Sequence, residues 1–326
     1  MAGKTYEPIT TKHTLNKVRE EKMPFDWSIN PYRGCEHGCS FCYARAFQSF
    51  MGLSADEFQR HIMIKTNAAE ALEAQLSRLA RRFNGNIDEV SRCVGLVAIG
   101  TATDPYQPVE GKSRITRACL SVLNKYRIPV SITTRSPLIL RDLDLLAEMN
   151  VHSVNISIGT LNWELTRKLE PAAPFPKKRL ETIQALSERG VRTGAFIAPI
   201  LPYLTDGDDE MEPLIREVRN YKASFAMTSM LRLTPDVKFW FFQALHTHFP
   251  ELVSKYAKLY QTAYADRSYL EPAMSRIRDI VRKYGLLSSL PEPDASSACP
   301  ASQVVGSAER FSGQYKQPPE QLMMQF

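Results

Sequence analysis

Residues 34–43 read Gly34-Cys35-Glu36-His37-Gly38-Cys39-Ser40-Phe41-Cys42-Tyr43. Three thiols spaced Cys-x3-Cys-x2-Cys converge on one centre only if the chain wraps around it, and Gly34 and Gly38 permit the turns that wrapping needs. Thiolates are soft donors suited to zinc and to iron–sulfur clusters. On a four-iron cluster, three of them leave one iron open for a cofactor or substrate. A zinc site would take its fourth ligand from His37 or the distant Cys299. His37, however, sits between two ligands in a tight loop, and no second Cys-x2-Cys completes a zinc ribbon. Cys93 and Cys119 fall in apolar strand and helix patterns and read as core residues.

Outward from this loop the chain alternates. Trp27–Asn30 is a short strand just upstream. Downstream, Leu72, Leu76, Leu79 and Phe83 mark one stripe of a helix over Ala68–Phe83, with Asn67 as N-cap, Glu70 three positions on and Gly85 past its end. Strands follow at Val94–Gly100, Val130–Thr134, Val154–Ile158, Thr193–Ile197 and Ser224–Met230. Helices intervene at Ile115–Tyr126, Asp142–Met149, Lys178–Arg189 and near Glu212–Asn220. Apolar strands separated by amphipathic helices predict an α/β protein with a parallel sheet. Six βα units fall short of a closed eight-fold barrel, so the expectation is a partial (β/α)6 barrel, with a doubly wound sheet as the alternative.

The expected organisation is an N-terminal arm at 1–24, the barrel at 25–235, a C-terminal helical extension at 236–287 and a disordered tail at 288–326. The extension is read as three helices, Val237–His248, Glu251–Tyr264 and Leu270–Tyr284, and the tail is rich in Pro, Ser, Ala and Gln. No stretch approaches the roughly 20 apolar residues that span a bilayer. The opening MAGKTYEPITTKHTLNK lacks an apolar signal segment, which points to the cytoplasm and to cysteines that are free thiols or metal ligands. The net charge is +6, yet Pro291–Phe326 carries −2, leaving +8 on the body of the chain. That charge favours anionic partners, nucleic acid among them.

A Cys-x3-Cys-x-aromatic-Cys loop directly after a first strand, opening a βα repeat, resembles the radical S-adenosylmethionine (SAM) superfamily. The resemblance runs over about residues 25–235. Asp104-Pro-Tyr-Gln-Pro-Val-Glu110, Arg141-Asp-Leu-Asp-Leu-Leu146, Leu169-Glu-Pro171 and Ala198-Pro-Ile200 occur in the order seen in its spore photoproduct lyase-like branch. It implies a partial barrel of the radical SAM type, in which Cys35, Cys39 and Cys42 hold a [4Fe–4S] cluster and SAM binds the open iron. An electron from the cluster would cleave SAM to a 5′-deoxyadenosyl radical that abstracts hydrogen from a substrate. An electron donor such as flavodoxin or ferredoxin would then be a partner.

The same resemblance suggests roles for individual residues. Phe41 matches the aromatic beside the SAM adenine. Gly100-Thr-Ala-Thr-Asp104 replaces the usual Gly-Gly-Glu, so Thr101, Thr103 and Asp104 would supply acceptors for the SAM ammonium, Asp104 being equally readable as a turn former. Arg135 would pair with the SAM carboxylate and Ser157 would face SAM from a strand end. Tyr43, Arg45, Tyr106, Gln107 and Glu110 are substrate-side candidates. The branch's named member repairs a thymine dimer in DNA and uses a cysteine near the end of the second strand to return a hydrogen atom. Residues 100–104 hold no cysteine, and Tyr106 is the candidate to take that catalytic role.

Lys177-Lys178-Arg179 reads as a solvated basic run. Gln321-Leu-Met-Met-Gln-Phe326, behind Pro318-Pro319, resembles the peptide that docks bacterial DNA-handling proteins on the replication sliding clamp. The leading expectation is a radical SAM enzyme acting on a nucleic acid or damaged base, lyase-like and linked to DNA repair. The competing readings are a radical SAM enzyme on a peptide, RNA or small molecule, and a zinc-dependent nucleic-acid module without catalysis.

Overall fold

The computed structural model describes residues 3–18, 23–47 and 57–287. The tail at 288–326, with its Gln321–Phe326 motif, lies outside the described residues. The chain opens with β1 (Thr5–Ile9), β2 (Asn16–Lys17), β3 (Trp27–Ile29), β4 (Tyr32–Arg33) and β5 (His61–Lys65). Next come α1 (Ala68–Arg82), α2 (Ile87–Val94), β6 (Val97–Ile99), α3 (Glu110–Ser113), α4 (Ile115–Lys125) and β7 (Val130–Thr134). These lead to α5 (Leu143–Glu148), β8 (Val151–Ser157), α6 (Trp163–Leu169), α7 (Pro176–Glu188) and β9 (Thr193–Ile200). The last elements are α8 (Asp208–Asn220), β10 (Ala226–Met230), α9 (Pro235–His248), α10 (Val253–Leu259) and α11 (Arg267–Lys283).

The main sheet has the order β10-β9-β8-β7-β6-β3-β2. From β3 to β10 every pairing is parallel and the strands follow one another in chain order. A doubly wound sheet reverses its order at a switch point, and no reversal occurs here. The fold is therefore the partial barrel of six βα units, open between β10 and β2. At one edge the main chain of Leu287 accepts a hydrogen bond from Ala226 N–H at 2.9 Å, so the residues after α11 partly cover β10.

Alternation along the strands separates two faces. Ile29, Val97, Ile99, Val130, Ile132, Val154, Ile156, Ala195 and Ile197 pack with the helices in the main core. The intervening positions are small or polar. Ser131 pairs with Ser153, Thr133 with Asn155, and Asn155 with Gly194. Ser131 Oγ and Ser153 Oγ lie 2.9 Å apart, and Asn155 Nδ2 donates to Ser131 and Thr133 at 3.1 and 3.2 Å. Apolar burial thus holds the sheet to its helices and leaves a polar inner wall.

A second sheet, β1-β5-β4, links the first residues of the chain to the cysteine loop. β1 pairs parallel with β5 and β4 pairs antiparallel with it, so residues 5–9 stand beside the strand that brackets the loop. At the opposite end, α9 and α10 share a separate core with Cys39, Phe41, Leu165 and Leu169 through Val237, Phe241 and Tyr256. The helical extension thereby supports the site.

Several local expectations change. The segment read as a strand from Val94 belongs to helix α2 until Val94; Gly95 stops it at φ 68°, and the strand starts at Val97. Asn67 does not cap α1, because its side chain bonds both ways to Thr11 of the N-terminal arm, at 2.8 and 2.9 Å. Helix α8 begins at Asp208 and carries Pro213 in its interior, where the bond that an N–H would make to the carbonyl of Asp209 is given up. The segment Glu251–Tyr264 is helical only as the short turn Pro250–Leu252 and α10. Cys93 and Cys119 are buried as core residues, but Cys93 is disulfide-bonded rather than a free thiol. Its burial in the last turn of α2 gave the sequence no pattern to signal the bond.

Gly194 lies where β9 meets β10, and a Cβ there would stand 2.4 Å from Phe225 O and 2.5 Å from its ring. The Gly194→Ala variant should lose about 1–3 kcal/mol of stability, the usual cost of overpacking. An unchanged urea midpoint would show that β10 can move away freely.

Candidate active site

The cysteine loop leaves β4 and returns as a 3₁₀ turn at Tyr43–Phe47. Gly34 and Gly38 take φ of 77° and 68°, the left-handed region that wrapping requires. Beyond that, the loop is shaped by distant residues. Cys35 N–H donates to Phe58 O at 2.8 Å and Ser40 N–H to Leu169 O at 2.9 Å. Thr103 Oγ1 donates to Gly34 O at 2.6 Å, and Gln107 Nε2 reaches the same carbonyl at 3.3 Å while its Oε1 accepts from Glu36 N–H at 3.0 Å. Buried Glu36 accepts from Lys4 Nζ at 2.7 Å, Tyr6 Oη at 2.9 Å and Val109 N–H at 2.8 Å. Arg45 donates to Cys39 O, Gly38 O and Gln59 Oε1, each at 2.9 Å, with its guanidinium 4.8 Å from the Trp240 ring centroid.

One cavity gathers most of the candidates. Cys35, Cys39, Phe41 and Cys42 line it from the loop; Thr101, Thr103 and Asp104 line it after β6. Thr133 to Arg135 line it from β7, Ser157 from β8, and Phe196, Ala198 and Pro199 from β9. These are the C-terminal ends of parallel strands, the face where barrel folds build sites. The three thiols are unpaired, and burial raises all three, Cys39 to about 12. Holding them as thiolates needs strong positive charge, which a metal centre supplies.

His37 is not placed as a ligand beside them. Its Nδ1 lies 3.4 Å from Ala172 O, and its Nε2 lies 3.1 Å from Asp104 Oδ2 without forming a well-aligned hydrogen bond. Among the described residues no three His, Cys, Asp or Glu side chains are arranged to hold a single metal ion. A mononuclear zinc site drawing on His37 therefore does not fit. Three thiols spread along the wall of one cavity fit a multi-iron cluster, whose ligands stand on different iron atoms.

Asp104 is fully engaged. Its Oδ1 accepts from Thr134 Oγ1 at 2.6 Å and from Tyr106 N–H at 2.9 Å, and its Oδ2 from Arg135 N–H at 3.0 Å. Burial would raise its carboxyl, but His37 and these donors outweigh burial and hold it at about 2. Asp104 is thus a carboxylate that ties the end of β6 to the end of β7, with little capacity left for an ammonium. Thr103 is similarly committed to Gly34 and Gln107. Thr101 Oγ1 accepts one bond, from Asn30 Nδ2 at 2.9 Å, and keeps acceptor capacity. Ser157 Oγ makes no hydrogen bond to the described residues, although Ser157 lines the cavity.

Arg135 Nη1 donates to Cys39 Sγ at 2.8 Å and to Glu170 Oε2 at 2.7 Å. Glu170 Oε2 also accepts from Arg179 Nη2 at 2.6 Å, and Arg179 Nη1 donates to Ser157 O at 3.1 Å. The guanidinium groups of buried Arg179 and half-buried Arg135 thus share one carboxylate behind the cysteines. Glu170 and Arg179 were quoted within sequence motifs, but their meeting is a tertiary event without a local signal. Arg179 in particular is buried, not part of a solvated basic face.

Four substrate-side expectations are corrected. Tyr106 is fully buried in the main core, bonds Asp142 Oδ2 at 3.1 Å and does not line the cavity, so it cannot return hydrogen there. Arg45 and Gln107 are spent on the loop, as described. Glu110 is buried against Arg141 Nη2 at 2.6 Å, Tyr32 Oη and Thr116 N–H. Tyr43 does line the cavity, its hydroxyl bonded to Thr101 O.

Residues 29–217 match the Radical SAM superfamily. An uncharacterized protein of Mycobacterium tuberculosis is 33% identical over 290 residues, covering 87% of this chain and 82% of that protein. The Radical SAM Nalpha-GlyT isomerase of Pseudomonas phage M6 is 24% identical over 202 residues, 61% of this chain and 38% of the isomerase. In structure, spore photoproduct lyase complexed with dinucleoside spore photoproduct superposes with a TM-score of 0.60 at 17% identity, over 86% of this chain and 78% of the lyase.

The paired guanidinium groups lower Glu170 from 4.5 to about 2 despite a burial effect that raises it. The resulting stability is present in full above about pH 4.5 and is lost as pH falls toward about 2. At neutral pH, Glu170→Gln should cost about 3–5 kcal/mol, because buried Arg179 and half-buried Arg135 lose their shared counter-charge. The gap in urea stability between wild type and variant should narrow through that acid window. A gap that stays constant on acidification would remove Glu170 from the pair.

Proposed function

The chain belongs to the radical SAM superfamily, and on that basis we propose that this radical SAM enzyme acts on a base of a nucleic acid. The observation that carries the site assignment is the convergence of three free thiols, Thr101, Arg135 and Ser157 on one cavity at the strand ends. Cys35, Cys39 and Cys42 would hold the [4Fe–4S] cluster, leaving an iron for SAM. When bound, these cofactors supply the electron that cleaves SAM and the 5′-deoxyadenosyl radical that removes a hydrogen atom from the substrate.

The protein's own groups bind and orient. Arg135 keeps Nε and Nη2 for a carboxylate while Nη1 holds Cys39 and Glu170. Thr101 Oγ1 accepts from an ammonium, and Ser157 Oγ is available to a hydroxyl group. Phe41, packed with Leu165 and Leu169 yet exposed to the cavity, offers an apolar surface to adenine. The buried loop limits solvent access to the reacting centre, which keeps bound groups aligned and suppresses side reactions.

Support for a nucleic acid comes from the +8 charge of the chain before Pro291 and from the fold shared with a lyase that binds a dinucleoside photoproduct. Repair by the lyase's own route does not follow. Residues 100–104 line the cavity without a thiol. Tyr43 is the phenol on the cavity wall, and a reaction that returns hydrogen to the substrate would draw on it.

After anaerobic reconstitution the protein should carry about four iron atoms per chain and release 5′-deoxyadenosine from SAM under strong reductant. Replacing Cys35, Cys39 or Cys42 by Ala should abolish that release and lower the iron content. Retained cleavage in all three variants would refute the assignment. DNA should bind with an affinity that falls steeply between about 50 and 200 mM salt. If a peptide, and not DNA, stimulates SAM cleavage, the substrate reading fails while the cofactor reading stands.

A further inference from the structure

We propose that the face formed by α6, the turn at residues 170–175 and the start of α7 docks a small acidic one-electron carrier protein, which reduces the cluster from behind. This rests on membership of the superfamily and is independent of the substrate reading. The face is the outer wall of the cysteine loop. Ser40 N–H donates to Leu169 O at 2.9 Å, and Ala172 N–H donates to His37 O at 3.2 Å. Cys39 lies between those two tethered residues, and the Ser40 amide nitrogen is bonded to its carbonyl carbon. Pro171 and Ala172 are exposed to solvent. A single layer of main chain therefore separates solvent from the ligand loop, a short route for an electron.

The surface there has the composition of a transient docking site. Trp163 and Phe175 are 56% and 42% exposed and meet edge to face at 6.4 Å. Arg167 lies 4.1 Å from the Phe175 ring centroid. Lys168, Lys177 and Lys178 are exposed in the same segments, with Lys168 Nζ 5.1 Å from the Phe249 ring centroid and Lys178 paired to Glu181 at 2.8 Å. Between residues 163 and 178 the acidic side chains are Glu164 and Glu170, and Glu170 is buried against two arginines. An apolar centre within a cationic rim selects an acidic partner and speeds its encounter.

Geometry favours an electron carrier over nucleic acid at this face. None of these residues lines the cavity, so a strand bound here would not present a base to the reacting atoms. An electron, by contrast, needs the ligand loop and not the cavity. In that step the carrier loses one electron to the cluster; no bond forms or breaks and no proton moves.

The test uses the reconstituted holoenzyme, reduced flavodoxin as the acidic carrier, and dithionite as a small reductant. Stopped-flow bleaching of the cluster reads the reduction rate directly, and DNA affinity is measured in parallel. The double variant Lys168→Glu, Lys177→Glu should reduce about tenfold or more slowly with flavodoxin and at the wild-type rate with dithionite. Lys168→Gln should give a smaller loss, and added salt should slow the wild type toward the variants. Equal rates for wild type and double variant with flavodoxin would overturn the proposal. So would equal losses with both reductants, which would place the effect on the cluster itself. Lost DNA affinity with unchanged flavodoxin reduction would give the face to nucleic acid and overturn it as well.

Discussion

The site depends on satisfying the main chain of a ten-residue loop that has no regular structure of its own. Buried carbonyl and amide groups must find partners, and within the loop only the turns Gly38 N–H to Cys35 O and Cys42 N–H to Cys39 O, each at 3.3 Å, supply them. Here the other partners come from outside the loop, most of them from far along the chain. Thr103 and Gln107 take the Gly34 carbonyl, Arg45 takes those of Gly38 and Cys39, and Leu169 and Phe58 accept from Ser40 and Cys35. The cysteines are held in place by groups from outside the loop.

This requirement reassigns several side chains that look chemical. Arg45 has the right type and position to greet a phosphate, yet it is worth more as a clamp, since losing it would strip a donor from each of two loop carbonyls, Gly38 O and Cys39 O. Asp104 follows the same logic: three donors, from Tyr106, Thr134 and Arg135, crowd one carboxylate, so it fixes the spacing of two strand ends. What remains open on the cavity is a short set of groups, Thr101, Ser157 and part of Arg135. Function is concentrated where the hydrogen bonding is incomplete.

The readable parts of the sequence were those governed by local rules. The Cys-x3-Cys-x2-Cys spacing and the alternation of apolar strands with amphipathic helices led to the cysteine loop and the partial barrel, because both are set by neighbours in the chain. Helices α2 and α6, of eight and seven residues, were missed since two turns barely establish a period. Asn67 had the residue type of a cap but found a better partner in Thr11, across the sheet from its own helix. Tyr106 and the Glu170–Arg179 pair were misread or unseen for one reason: their environment is made by segments that meet only in three dimensions.

The stacking of Arg45 on Trp240 also has a bearing on biogenesis. The thiols emerge from the ribosome early, whereas α9, which completes their enclosure, is translated some two hundred residues later. Until then the nascent chain exposes three neighbouring sulfhydryls to oxidants and to the wrong metals. The wall around the cysteine loop is therefore complete only once α9 has been made and folded against it.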